Sequence, residues 1–258
     1  MTTPYLDYDS IANDYNQRYP SSRQWERGDA LLNFAKQIKA KTILEAGSGT
    51  GFWLNLLHQV TPQLYGLDFS AGMIAQARKQ PAPLKLARSR ATQLPYQFAT
   101  FDLIYCVDAI HHFDDHHAFI REAFRLLKPG GALAIIGHDP HKAGPSSWYI
   151  YRYFDSVYDT DLRRYPAGTS VLKWMNEEGF RNPTSQLVEH IHNEYEGEDV
   201  FADPFIKHNA TSQLALLSDE SYQAGLQNIR ASLLRSKERN KPITFHSEIF
   251  IRMWVGFR

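Results

Sequence analysis

Short apolar runs alternate with amphipathic stretches through the first half of the chain. Leu31, Leu32, Ala35 and Ile38 recur at helical spacing among Arg27, Asp29, Lys36 and Lys39, which predicts a helix over about 22–39. Residues 42–46 (Thr-Ile-Leu-Glu-Ala) then read as a short buried strand. The same alternation predicts a helix over 52–60, a strand over 63–68, a helix over 70–79 and strands over 84–87 and 101–107. A helix follows, capped by Asp114 or Asp115, with Phe119, Ile120, Ala123, Phe124 and Leu127 on one face. Lys128-Pro129-Gly130-Gly131 is read as its end and 132–136 as a fifth strand. This alternation of strand and helix implies a parallel sheet covered by helices on both faces.

The rhythm breaks after Gly137. Residues 148–165 carry Trp148, Tyr149, Tyr151, Tyr153, Phe154, Tyr158 and Tyr165, which suit either the core of an extra helix or the lining of a pocket for a flat acceptor. A helix is predicted over 170–178, a strand over 186–191, a mostly helical region over 199–240 and a terminal strand over 243–255. Within the helical region Ser218 is a cap, and Tyr222, Leu226, Ile229 and Leu233 form a stripe.

Composition narrows the partners. The chain has 258 residues, with 28 Lys and Arg against 28 Asp and Glu, so its formal net charge is zero. A globally basic nucleic-acid binder is thereby excluded, because such affinity comes from cations displacing counterions. The single cysteine, Cys106, cannot form an internal disulfide and reads as a buried strand residue. Residues 1–11 lack the basic and apolar regions of a signal peptide, and no apolar run is long enough to span a bilayer. The expected location is cytoplasmic.

The chemistry concentrates where the first strand meets Gly47-Ser48-Gly49-Thr50-Gly51. Glycines there let the backbone turn tightly and approach a ligand without Cβ collisions. Asp68 ends the next strand, the position that reaches ribose hydroxyls in doubly wound folds. A dinucleotide fingerprint needs a small sixth residue, and Phe52 or Trp53 stands there instead. Glu45 would repel a pyrophosphate but suits a ligand carrying a sulfonium and an ammonium. Two other readings of the residues remain: an NAD(P)-dependent oxidoreductase on a similar sheet, and a non-catalytic binding module.

Four ordered motifs resemble the class I S-adenosylmethionine-dependent methyltransferases. They are Ile43 to Gly51; Gly66-Leu67-Asp68-Phe69-Ser70 with Met73; Leu94-Pro95 through Phe101-Asp102-Leu103-Ile104; and Leu126 through Gly131. The match covers about 40–138 and is most similar to the small-molecule branch that includes quinone-biosynthesis enzymes, whose aromatic opening helix Tyr8 to Tyr15 also resembles. The resemblance implies a Rossmann-like, doubly wound, seven-stranded, mostly parallel sheet with the last strand antiparallel. It implies one methyltransferase domain over 1–258, with a core over about 22–138, 168–192 and 242–258. Helical segments over about 1–21, 139–167 and 195–241 would cap the strands' carboxyl ends. The implied reaction moves a methyl group from S-adenosyl-L-methionine to O, N or C of an aromatic or apolar small molecule.

Roles follow residue by residue from that resemblance. Gly47, Ser48, Gly49 and Gly51 would pass under the methionine part, with Glu45 near its ammonium. Asp68 would accept the ribose hydroxyls, Phe69 and Met73 would flank adenine, and Ala91 and Val107 would touch the cofactor. Arg90 stands where the family often has Asp, and arginine has no acceptor for the adenine amino group; stacking on adenine is the role left to it. Tyr15 and Tyr19 are lid candidates.

His111, His112, His116 and His117 lie within seven residues. They suit a metal, helix ends, or a site facing substrate, and no metal is assigned. The family places this segment at the transferring methyl, so His111 or His112 is the candidate general base. His138 and His141 after the fifth strand read as loop histidines or a second polar edge.

Overall fold

The computed structural model describes residues 6–13, 15–18 and 24–258, and the chain divides into two compact units. The sheet unit comprises Asp7–Asp139, Pro166–Glu189 and Ile251–Arg258; the helical unit comprises Pro140–Tyr165 and His190–Phe250, together with Leu6. The strands are β1 (Ile43–Ala46), β2 (Leu64–Asp68), β3 (Lys85–Arg88), β4 (Phe101–Val107), β5 (Leu127–His138), β6 (Arg181–Glu196) and β7 (Thr244–Phe257). The helices are α1 (Tyr8–Ile11), α2 (Glu26–Gln37), α3 (Phe52–Leu56), α4 (Ala71–Ala77), α5 (His116–Leu126), α6 (Pro140–Ala143), α7 (Tyr149–Tyr153), α8 (Val157–Arg164), α9 (Gly168–Glu177), α10 (Ser212–Ala215) and α11 (Asp219–Glu238).

The seven strands form one sheet in the order β3-β2-β1-β4-β5-β7-β6. The first five pair in parallel, and β7 runs antiparallel to β5, from Ala132 opposite Phe257 to His138 opposite Ile251. This is the expected Rossmann-like, mostly parallel sheet. Its middle strands are mainly apolar because both faces are covered; every residue of β1 is buried, Glu45 among them. Leu44, Ile104, Phe119, Ile120, Leu133, Ile135 and Trp254 share one core with Val171 and Met175 of α9. β1 has β2 on one side and β4 on the other, so strand order reverses there, the place where open α/β sheets bind ligands beyond their strands' carboxyl ends.

Two elements differ from their expected bounds. The segment Lys128-Pro129-Gly130-Gly131 does not separate helix from strand: β5 already begins at Leu127. The register against β4 shifts between Phe101 and Leu103, and Gly130, at φ +83°, donates its amide to the Arg258 carbonyl. The glycines absorb a bulge in a continuous strand. β6 is much longer than 186–191, because it lies at the sheet edge and its polar residues hide the strand pattern.

In the helical unit the aromatic stretch becomes core. Trp148, Tyr149, Tyr151, Tyr153 and Phe154 are buried with Ile206, Leu214, Ile229, Leu233 and Phe245. Two of the polar tips are paired inside the unit: the Tyr149 hydroxyl donates to Asp203 at 2.7 Å and the Tyr151 hydroxyl to Asp161 at 2.9 Å. These rings therefore pack the core instead of lining a pocket. Ser218 caps α11 as expected, accepting from the Ser221 amide.

Candidate functional site

The glycine loop joins β1 to α3 at the strand-order reversal. Gly47, Gly49 and Gly51 all have left-handed φ, at +70°, +50° and +74°. Gly47 and Gly51 are also crowded: a Cβ would stand 2.7 Å from that of Ala109 and 2.9 Å from Leu84 Cδ1. Gly49 is different. Among the described residues, a Cβ there would have only Tyr15 within 4 Å, at 3.9 Å. The middle glycine thus keeps a backbone surface clear, while the outer two set the turn.

Asp68, at the end of β2, holds this loop from the side. Its carboxylate accepts from the Gly49 amide at 2.8 Å and from the Ser70 amide at 2.8 Å. Burial raises its carboxyl above the ordinary aspartate value, and the amides of Ser70, Gly49 and Phe69 pull the other way. Ser70 caps α4 and donates to Asp9, which also accepts from the Gly72 amide at 2.7 Å. The opening segment is fastened here. Thr50 donates to Asn16 at 2.5 Å, and the Tyr15 ring stands edge-on to Tyr8. Tyr15 therefore lies beside the loop, as a lid residue would; Asp14 and Tyr19 fall outside the described residues.

Glu45 is buried behind the loop. It accepts from the Tyr105 hydroxyl at 3.1 Å and from the Leu54 amide in the first turn of α3. Burial first, and the Asp68 charge after it, hold its carboxyl well above the usual carboxylate range, against the pull of these two donors. A raised folded-state pKa means the fold binds the proton more tightly than the unfolded chain does. Glu45 then favours the folded state in acid, and that contribution is lost as pH rises through the raised pKa. Glu45→Gln keeps an acceptor for Leu54 and a partner for Tyr105. The melting temperature of this variant relative to wild type is expected to climb from about pH 4.5, the ordinary glutamate value, toward neutral pH. A flat difference across that window in paired thermal melts would remove the buried-charge account.

Phe69 is exposed, with the Arg90 guanidinium over its ring at 4.6 Å. Arg90 is ion-paired with Asp114, so Asp115 alone caps α5. Met73 is buried within α4, and Ala91 and Val107 are nearly so. Ser48 has a buried hydroxyl with no partner among the described residues.

β4 delivers the remaining groups. His112 Nε2 lies 2.6 Å from the Tyr8 hydroxyl, and the His111 ring packs at 4.0 Å against His112. His111 is buried. His116 and His117 turn away: His117 stacks on Trp174 of α9 at 5.7 Å and contacts Glu178 at 2.8 Å. The four histidines therefore split into two pairs, one beside Tyr8 and one at a helix packing contact. His138 ends β5, and His141 bonds the Tyr165 carbonyl in the helical unit. Burial pushes the Cys106 thiol up, in keeping with a strand core residue.

Several residues here carried no signal in the sequence. Asp108 follows β4 at φ +48° and pairs with Arg27 of α2. Arg27 is buried and also donates to buried Glu189 of β6. Residues 81 and 162 positions apart meet here, which no local pattern reveals. Tyr8 belonged to the aromatic opening segment, but its contact with His112 spans 104 positions.

Residues 44–135 match the family model of a methyltransferase domain, and this match falls wholly inside the sheet unit. The demethylmenaquinone methyltransferase of Bacteroides fragilis is 30% identical over 142 residues, 50% of this chain and 57% of that protein. The chain spans between 39% and 58% of the length of the first such relatives. Among solved structures, phosphoethanolamine N-methyltransferase 2 of Haemonchus contortus, in complex with S-adenosyl-L-methionine, has a TM-score of 0.61 at 16% identity, covering 97% of this chain and 57% of that one. A SAM-dependent methyltransferase from Archaeoglobus fulgidus has a TM-score of 0.55 at 16% identity, covering 97% and 99%. Glycine loop, acidic second strand and strand order agree with that match: residues 44–135 carry the pattern of a methyltransferase domain.

Proposed function

We propose that this protein transfers a methyl group from S-adenosylmethionine to a small molecule, and that the acceptor is a phenol or quinol. The observation that carries the reading is the cradle at the carboxyl ends of β1 and β2: an open, left-handed Gly49 whose amide is held by Asp68. The residues fit the cofactor. The clear backbone at Gly49 and the unpartnered Ser48 hydroxyl suit its methionine part. Asp68 has the reach for ribose hydroxyls, an incoming ammonium would draw the raised Glu45 carboxyl back toward its charged form, and Phe69 with Arg90 offers a stacking edge for adenine. Met73, Ala91 and Val107 would form the apolar floor beneath it, with Gly47 and Gly51 setting the loop and Tyr15 closing over it.

Bound there, S-adenosylmethionine supplies an electrophilic methyl carbon on a positively charged sulfur. Alignment and exclusion of water do much of the work in such a displacement. A phenolic acceptor reacts faster as its anion, and His112 is the group positioned to hold the departing proton. Tyr8 engages Nε2, so the proton reaches the imidazole after Tyr8 moves or through its hydroxyl. The quinol assignment also draws support from the demethylmenaquinone relative. We read both units as parts of one methyltransferase acting in the cytoplasm; no helix among the described residues is long and apolar enough to cross a membrane.

Calorimetry with S-adenosylhomocysteine tests the cofactor assignment. Asp68→Ala is expected to weaken binding by about 1–3 kcal/mol, because ribose hydroxyls and the Gly49 amide lose their acceptor. Asp68→Asn, which keeps one acceptor, should lose less. Tight NAD(P)H binding by a chain that ignores S-adenosylhomocysteine would overturn the reading.

A further inference from the structure

The strands β6 and β7 carry, within the helical unit, a second group of side chains that includes none of the residues proposed for methyl transfer. Alternation along β6 puts His190, His192 and Glu194 on its exposed face, and alternation along β7 does the same for His246, Glu248 and Phe250. Contacts join the strands in opposite directions: His190 stacks on Phe250 at 4.4 Å, His192 Nδ1 lies 4.0 Å from Glu248 Oε1, and His246 Nδ1 lies 3.2 Å from Glu194 Oε1.

We propose that His190, His192 and Glu248 bind a divalent transition-metal ion of the zinc class. One ligand atom from each lies within 4.8 Å of the others. His190 Nε2 stands 3.4 Å from Glu248 Oε1. Two ligands about 2.0–2.1 Å from a tetrahedral ion stand about 3.3 Å apart, so this edge is nearly formed and His192 needs only a small side-chain movement. Two imidazoles and one carboxylate are a donor set that zinc accepts with a fourth position left to water.

The surroundings support the three ligands. The Phe250 ring lies within 10° of parallel to that of His190 and restricts its rotation. Glu194 Oε1 lies 3.5 Å from His192 Nε2, on the side away from Glu248. A carboxylate on that side, which also bonds His246 Nδ1 at 3.2 Å, favours the proton on His192 Nε2 and leaves Nδ1 to ligate, as outer carboxylates do for metal-bound histidines. Exposed histidine–carboxylate pairs without an ion are weak and screened. An ion would fasten β6 to β7 across the strand pair. Its affinity should fall in acid, because the ligands must lose their protons.

The experiment uses the full chain after treatment with a chelator. Zinc is titrated by calorimetry, and cobalt is used for its visible absorption. Wild type is expected to bind one zinc ion per chain, to give a tetrahedral cobalt spectrum, and to melt at a higher temperature with zinc. His192→Ala and Glu248→Gln should each lower zinc affinity by at least ~10–100-fold, the loss that outer-shell partners alone cause. All these side chains are exposed, so the variants should fold, and S-adenosylhomocysteine binding should be unchanged in each. No zinc binding by wild type overturns the proposal, and so does equal binding by wild type and the His190→Ala/His192→Ala double variant. Neither outcome bears on methyl transfer, which uses residues of the sheet unit.

Discussion

Replacing His112 with alanine is expected to lower kcat for methyl transfer by about 10²-fold or more, while S-adenosylhomocysteine affinity changes little. His112 sits in the turn after β4, its Nε2 2.6 Å from the Tyr8 hydroxyl. That hydroxyl, Tyr8, separates two versions of the mechanism. If Tyr8 relays the proton, Tyr8→Phe should lose as much as His112→Ala; if it only packs, Tyr8→Phe should keep most of the rate. His111→Ala should also slow the enzyme, but for another reason. His111 is buried and supports the neighbouring ring at 4.0 Å, so its loss should be accompanied by a lower melting temperature. Unchanged turnover in both histidine variants would leave alignment alone to explain the rate. The pH profile adds a check: the acid limb of kcat should vanish in His112→Ala if this imidazole is the base.

Replacing Glu189 with alanine is expected to cost about 3–5 kcal/mol of stability, the loss found when one partner of a buried ion pair is removed. Arg27 and Glu189 are both buried, at 7% and 4% side-chain exposure, so the orphaned guanidinium cannot recover its hydration. Asp108 would still engage Arg27, but it is 38% exposed and a weaker counterweight. Urea unfolding should show a lower midpoint at unchanged slope, and Glu189→Gln should be milder because it keeps an acceptor. The charge at Asp108 also matters to the site. This residue holds φ +48° directly after Val107, and Arg27 helps to keep it there. A normal midpoint for Glu189→Ala would show that the pair is solvated in solution.

Most of the sheet was readable because its signals are local. Apolar runs four to seven residues long, each ended by a turn, mark β1, β2 and β4 without reference to anything distant. The loop glycines and Asp68 lie within 22 positions of one another, and their backbone demands show in residue type alone. The edge strand β6 was largely invisible for the converse reason, since an edge tolerates the polar side chains that erase the pattern. The resemblance makes Arg90 a partner for adenine, while its exposed pairing with Asp114 and its place over Phe69 depend on how β3 and the turn before α5 come together.

The sequence by itself determined the strand–helix alternation, the glycine loop with its acidic neighbour, and the presence of histidines after β4. These follow from the period of side-chain burial and from steric demands on single residues. Tertiary structure alone decided where the histidines go: His112 meets Tyr8 with His111 packed beside it, while His117 meets Trp174 of α9. It also decided that the aromatic stretch is core, that Arg27 holds Asp108 and Glu189, and that His190, His192 and Glu248 lie together. The physical reason is common to all of them. Each depends on groups far apart in the chain whose distance is set by packing and strand register, and composition and spacing contain neither.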